Sequence, residues 1–175
     1  MRINSTYVQR ALGPGPHTFV EIGVHNGDNA AEFLAELPIK QAWLVDPWSI
    51  TSPAGYNNNT QEDWDALCSA VTKRYAAFSH VKILRMKSEE AYLLVPDNLD
   101  IVYIDGDHSA EGIRTDLRCW FPKVRKGGIL CGDDYTNLDV RQAVTDLVAK
   151  YQFNLRVSPE TTQWWFIKDN SHAML

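Results

Sequence analysis

Two stretches constrain this chain more than any others: Val102-Tyr103-Ile104-Asp105-Gly106-Asp107-His108 and Gly127-Gly128-Ile129-Leu130-Cys131-Gly132-Asp133-Asp134-Tyr135. Each is an apolar run of strand length that stops abruptly in acidic residues. Continuous hydrophobics mark a strand buried on both faces, as in parallel sheets covered by helices. Carboxylates just beyond such strands lie where open α/β sheets bind ligands. Gathered in one crevice, Asp105, Asp107, Asp133 and Asp134 need a cation, a proton or an amine to coexist. A lone strand-terminal Asp is better read as a turn former or helix cap. Two pairs on two apolar runs predict a site.

The remaining sequence alternates between strand and helix periods. His17 to Ile22 reads as a first strand, entered from the Gly13-Pro14-Gly15-Pro16 turn. Asp28 to Leu37 reads as a helix, with Ala30, Phe33, Leu34 and Leu37 on one face and Pro38 as its stop. Gln41 to Val45 is a second strand ending at Asp46. Residues 47–60 form a long polar loop holding Trp48, Tyr56 and Asn57-Asn58-Asn59. Thr60 and Asp63 form a capping box for a helix to about Phe78. Val81 to Met86, Asp100 to Ile104 and Ile129 to Cys131 are further strands. Glu89 to Val95, Ala110 to Val124 and a helix capped by Asn137 and running to Tyr151 separate and follow them. Phe153 to Val157 and Trp164 to Ile167 read as a closing hairpin. Such alternation predicts a Rossmann-like, doubly wound α/β fold: seven strands, mostly parallel, with a C-terminal antiparallel hairpin strand.

At 175 residues, 45% hydrophobic and 22% charged, the chain suits one domain with a sizeable core. The formal net charge of −5 comes without a Lys/Arg cluster, so no nucleic-acid partner is expected. No apolar stretch approaches the ~18 residues of a membrane span, and Met1-Arg2-Ile3-Asn4 opens no secretory signal, so no membrane association is expected. Cys68, Cys119 and Cys131 are odd in number and lack CxxC spacing, which predicts free thiols in a reducing cytoplasm.

The ligand crevice is expected beside the first strand, where the sequence reads Glu21-Ile22-Gly23-Val24-His25-Asn26-Gly27-Asp28. Glycines four apart let the backbone turn tightly and approach a ligand. A dinucleotide fingerprint would need glycine at 25 and a small residue at 28, where the chain has His and Asp. Asp28 at a helix N-terminus would also repel a pyrophosphate. A nucleoside with a cationic or zwitterionic tail fits better, with Glu21 adding negative charge. Asp46, closing the second strand, is placed to accept hydrogen bonds from two ribose hydroxyls.

In order, Glu21-x-Gly23-x-x-x-Gly27, Asp46, Ser88-Glu89, Asp105 and Gly127-Gly128 resemble the class I S-adenosylmethionine-dependent methyltransferases from about Thr18 to Lys168. Tyr103-Ile104-Asp105-Gly106-Asp107-His108 with Gly132-Asp133-Asp134-Tyr135 resembles the metal-dependent small-molecule O-methyltransferases, such as the macrocin and aminocoumarin sugar enzymes. The resemblance implies that Gly23 and Gly27 pass close to the methionine moiety and that Glu21 supports their loop. It implies Asp46 at the ribose, Ser88 and Glu89 at adenine, and Asp105 at the methionine amino group. It also implies a divalent metal, Mg²⁺ by its all-oxygen ligands, on Asp105, Asp133 and Asp134. A metal there would lower the pKa of a bound hydroxyl and orient it.

Some metal-dependent relatives place their base three residues after the first metal Asp, which here is His108; Asp107 is the fallback. Imidazole, with its unperturbed pKa of ~6.5, suits general base work near neutrality. The expected reaction is O-methylation of a small hydroxylated acceptor. Its alternatives are a metal-independent N- or O-methyltransferase and a non-catalytic nucleoside-binding module. With only about 17 residues ahead of the first strand, the 47–60 loop is expected to shape the acceptor pocket, with Trp48 and Tyr56 as walls. The pocket is then either open or closed by a second subunit in a homodimer.

Overall fold

The computed structural model describes residues 3, 5–50 and 59–169. Tyr56 and most of the asparagine run lie outside the described residues. Thirteen elements follow in chain order: α1 (Ser5–Leu12), β1 (His17–Ile22), α2 (Asp28–Glu36), β2 (Ile39–Asp46), α3 (Gln61–Tyr75), β3 (Val81–Arg85), α4 (Ser88–Ala91), β4 (Leu99–Ile104), α5 (Ala110–Trp120), β5 (Val124–Gly132), α6 (Leu138–Tyr151), β6 (Arg156–Val157) and β7 (Trp164–Ile167). The strands form one seven-stranded sheet in the order β3-β2-β1-β4-β5-β7-β6. β1 to β5 are parallel, and β7 runs antiparallel to both β5 and β6. The expected doubly wound sheet with its antiparallel hairpin is therefore the observed fold.

Successive strand side chains point to opposite faces, and both faces are covered. Val20, Ile22, Val102, Ile104 and Leu130 pack in one layer with Ile113, Leu117, Trp120 and Val144 from α5 and α6. Phe19, Ile101, Tyr103, Ile129 and Cys131 pack in the other with Ala30, Phe33 and Val71 from α2 and α3. Burial on both faces is why these strands read as unbroken hydrophobics.

Several sequence-based boundaries move. The N-terminal segment forms α1, which was not expected; its Val8 is fully buried in the second layer. α5 stops at Trp120, and β5 begins at Val124, earlier than the predicted Ile129. Gly127-Gly128 sits inside β5 at a bulge, where Leu99 pairs with Val124 and Ile101 with Ile129. A Cβ on Gly128 would lie 2.9 Å from the Leu99 carbonyl oxygen, so that close approach requires glycine. The predicted 153–157 strand shrinks to Arg156–Val157, and Phe153 stacks on Phe166 of β7, 5.1 Å between ring centroids.

β1 lies between β2 and β4, and the chain reverses its direction of winding there. The carboxyl ends of β1, β2 and β4, with the turns that follow them, open a crevice at this switch point, as the fold class requires.

Candidate active site

The β1–α2 turn forms the inner wall of the crevice. Gly23 adopts φ +84°, and a Cβ there would fall 2.0 Å from the Asp105 carbonyl oxygen. The turn is thus pressed against the end of β4, which only glycine permits. Gly23 N–H donates to the Val45 carbonyl at 2.9 Å, joining the turn to β2. Gly27, at φ +77°, begins α2, and its carbonyl accepts from the Tyr75 hydroxyl at 2.5 Å. An ion pair between Arg74 and Asp28, 2.6 Å apart, closes the α2 and α3 side of the turn.

Glu21 is buried at 1% exposure yet lines the crevice. Its Oε1 accepts from Asn29 Nδ2 at 2.8 Å, while Oε2 has no hydrogen-bond partner among the described residues. Burial pushes this carboxyl up to about 8, with Asp105 and Asp46 adding like-charge repulsion.

Asp46 accepts two backbone N–H groups, from His25 at 2.9 Å and from Trp48 at 2.7 Å. Burial raises its pKa even so. Trp48, expected as a pocket wall, is instead wholly buried and donates from Nε1 to the His25 carbonyl at 2.9 Å. It anchors the Asp46 turn from beneath. Trp64, in the first turn of α3, lines the crevice instead.

On the β4 and β5 side, His108 Nε2 lies 3.2 Å from Asp105 Oδ1 and 3.1 Å from Asp134 Oδ2. The Asp105 hydrogen bond and the surrounding carboxylates hold the imidazole above its ordinary pKa, while burial raises that of Asp105 despite its His108 partner. One ligand atom from each of Asp105, His108 and Asp134 falls within 4.8 Å of the others. Asp134 reaches this cluster because its backbone turns left-handed, at φ +57°. Asp133 also lines the crevice and adds like-charge repulsion to Asp105, while its carboxylate accepts from the Thr162 hydroxyl and from the Asp134 N–H at 2.8 Å. Among the described residues, the side chains whose ligand atoms meet are those of Asp105, His108 and Asp134; His108, expected from the sequence as a base, joins two of the expected metal acids, with Asp133 beside them. Asp107 is exposed and accepts from Ser109 N–H at 2.9 Å, an Asx turn that opens α5.

The adenine-side pair also divides. Glu89 is exposed at the start of α4 and lines the crevice. Ser88 Oγ accepts from Trp120 Nε1 at 2.7 Å and bonds the carboxyl of Asp116. Asp116 was not singled out from sequence because an Asp inside an amphipathic helix looks like a solvated residue. It is 4% exposed, lines the crevice, and burial pushes it up to about 7. Gln163 was also missed; it lines the crevice and donates to the Tyr103 hydroxyl at 2.8 Å.

A family model described as a methyltransferase domain matches residues 20–135, from the middle of β1 to the acidic end of β5. The chain belongs to that methyltransferase family. The methyltransferase family expected from the sequence is thus borne out, and its fold is shared with solved methyltransferases. Protein R132 of Acanthamoeba polyphaga mimivirus is 30% identical over 144 residues, 77% of this chain; the match spans 61% of that protein's length. The SAH-bound methyltransferase PaMTH1 of Podospora anserina superposes with a TM-score of 0.66 at 13% identity, over 92% of this chain and 75% of its own. The calicheamicin methyltransferase CalS11 gives 0.64 at 14% identity, over 93% of this chain and 76% of its own. Among the described residues no helix is long and apolar enough to cross a membrane.

Proposed function

We propose that this chain transfers the methyl group of S-adenosylmethionine to a hydroxyl of a small acceptor, with a divalent cation assisting. The observation that carries this reading is the convergence of Asp105, His108 and Asp134 beside the Gly23 turn. Two carboxylate oxygens and an imidazole nitrogen facing one point need positive charge between them, either a proton on Nε2 or a cation. Such a mixed donor set fits a divalent ion, and the nitrogen favours Mn²⁺ or a later transition metal over Mg²⁺. When bound, the ion would stabilise negative charge on the acceptor oxygen as it loses its proton.

The chain's own groups supply the rest. Asp46 would accept from the ribose hydroxyls, and the backbone of the Gly23 turn would cradle the methionine moiety. Glu21 and Asp105 would set negative charge beside the sulfonium and ammonium of the donor. In-line attack then depends on positioning between two fixed strand ends. The acceptor is taken to approach from the His108 side, since the Gly23 turn and Asp46 occupy the other.

A second reading has a specific observation behind it. His108 is hydrogen-bonded to Asp105, which orients its ring and raises its pKa, as for a positioned general base. Methyl transfer from labelled donor to a panel of hydroxylated and amine acceptors, before and after chelation, separates the two. Loss of transfer on chelation with recovery on Mn²⁺ or Mg²⁺ supports the metal. Transfer unchanged by chelation, and abolished in His108→Ala, supports the base. Donor binding without transfer to any acceptor would favour a nucleoside-binding module.

A further inference from the structure

Tyr103 is a buried phenol on β4 that none of the chemistry above uses, and Gln163, just ahead of β7, is a buried amide. Both line the crevice. They are bonded to each other and to the beginning of the chain. The Ile3 N–H donates to Gln163 Oε1 at 2.8 Å, across 160 positions of sequence, and Gln163 Nε2 donates to the Tyr103 hydroxyl at 2.8 Å. That hydroxyl in turn donates to Asp133 Oδ2 over a longer 3.5 Å.

These bonds run in one direction. A backbone N–H can only donate, so Ile3 claims the amide oxygen of Gln163 and leaves the amide nitrogen to face Tyr103. That nitrogen can only donate as well, so the Tyr103 oxygen accepts from it. A hydroxyl has one proton of its own to give, and its acceptor here is Asp133 Oδ2. Asp133 Oδ1 accepts from the Thr162 hydroxyl and from the Asp134 N–H, and the Asp133 carbonyl accepts from Trp164 Nε1 at 2.9 Å. Three consecutive residues, Thr162, Gln163 and Trp164, thus act on one acid, Gln163 through Tyr103.

We propose that Gln163 is a positioning residue for the acid cluster: anchored by Ile3, it commits the Tyr103 proton to Asp133 and keeps that carboxylate beside Asp105. This rests on the metal-assisted reading above and adds to it the residue that sets the direction of the bonds. Asp133 and Asp105 repel each other as like charges. A donor on each Asp133 oxygen offsets that repulsion and stops the side chain from swinging away. The two acids then stay close enough for their charges to act on one cation. Ile3, Gln163 and Tyr103 are all buried, where low dielectric strengthens each bond and makes an unmade one costly. The start of the chain is thereby tied to the reacting centre.

The test measures Mn²⁺ affinity by calorimetry, and melting temperature without added metal, in wild type, Tyr103→Phe, Gln163→Met and the double variant. Tyr103→Phe is expected to weaken Mn²⁺ binding about tenfold, the low end for a lost partner of a metal-site residue. Gln163→Met should cost a similar factor in the native background and less than about twofold in Tyr103→Phe, because it acts through that hydroxyl. A Gln163 that only supports the fold would lower the melting temperature in both backgrounds and leave Mn²⁺ affinity unmoved. Unchanged affinity in Gln163→Met, or the same loss in both backgrounds, overturns the inference. Should Gln163→Met fail to fold, Tyr103→Phe decides alone: the tenfold loss supports the inference and wild-type affinity overturns it. A wild type that binds no Mn²⁺ removes the metal reading and this inference together, whereas binding that the variants leave unmoved removes the inference alone.

Discussion

Gly23 and Asp105 are in backbone contact: a Cβ on Gly23 would lie 2.0 Å from the Asp105 carbonyl oxygen. The turn proposed to hold the donor and the acid proposed to face the reacting centre are therefore one rigid unit. A side chain at position 23 would meet both a steric clash and a φ of +84°. Gly23→Ala is expected to destabilise the fold by about 2 kcal/mol or more, given the cost of a forced positive φ and a displaced strand end. Donor affinity should fall with it. Chemical denaturation with calorimetry on the folded fraction checks both, and a variant with wild-type stability would show the contact to be yielding.

Glu21 makes stability depend on pH in a direction opposite to most carboxyls. Its folded-state carboxyl is pushed up to about 8 from an ordinary 4.5. Between those values the folded chain holds a proton that the unfolded chain has released. The contribution is complete below about pH 4.5 and is lost as pH rises toward 8. Its size is on the order of a few kcal/mol, since each pH unit between the unfolded and folded values is worth ~1.4 kcal/mol. Asp116 adds a slope of the same sign, so the reading is the difference between wild type and Glu21→Gln. That variant should flatten the decline of melting temperature between pH 5 and 8, and an unchanged slope would count against a protonated Glu21.

Much of this was legible in the sequence, and the exceptions have physical causes. Strands buried on both faces left unbroken hydrophobic runs, so β1 and β7 were placed at their observed limits. The Thr60 and Asp63 capping box is present in full. Asp105, Asp107, Asp133 and Asp134 were recognisable as strand-end acids, but sequence does not say which way adjacent side chains turn. The left-handed backbone at Asp134 and the Thr162 hydroxyl on Asp133 decide that. Trp48 looked like a wall because aromatic residues in loops often are; its Nε1 bond to the His25 carbonyl pulls it inside. Asp116 sat among helix residues with no local signal, and only its burial against Ser88 and Gly106 reveals it.

Asp46 serves the fold as well as the proposed ribose site. Removing its side chain leaves the N–H groups of His25 and Trp48 without their acceptor, the Trp48 group in a buried position. Asp46→Ala should therefore cost about 2 kcal/mol or more of stability, and weaken S-adenosylhomocysteine binding at least tenfold. Asp46→Asn keeps one acceptor oxygen and should lose less of each. If Asp46→Ala keeps full affinity while losing stability, the residue is a structural anchor alone.

The sharpest prediction concerns proton and metal competing for His108. Nε2 faces Asp105 Oδ1 and Asp134 Oδ2 at 3.2 and 3.1 Å, so in the metal-free protein it favours the protonated state. A metal ligand must be deprotonated. Mn²⁺ binding should then release a proton below the raised pKa of the imidazole, with affinity climbing up to tenfold per pH unit and levelling off above it. Without metal the sign is also fixed: the raised His108 pKa stabilises the fold at low pH, and that contribution is lost as pH rises through it. His108→Ala should abolish the proton release and weaken Mn²⁺ binding by roughly 10–100-fold, the range for a disturbed metal site. Calorimetry in two buffers of different ionisation enthalpy measures the proton count directly. Should wild type and His108→Ala bind Mn²⁺ with the same affinity and release no proton, His108 is not a ligand. The general-base reading would then make its own demand, a rising pH limb in transfer rate that moves to lower pH in Asp134→Asn.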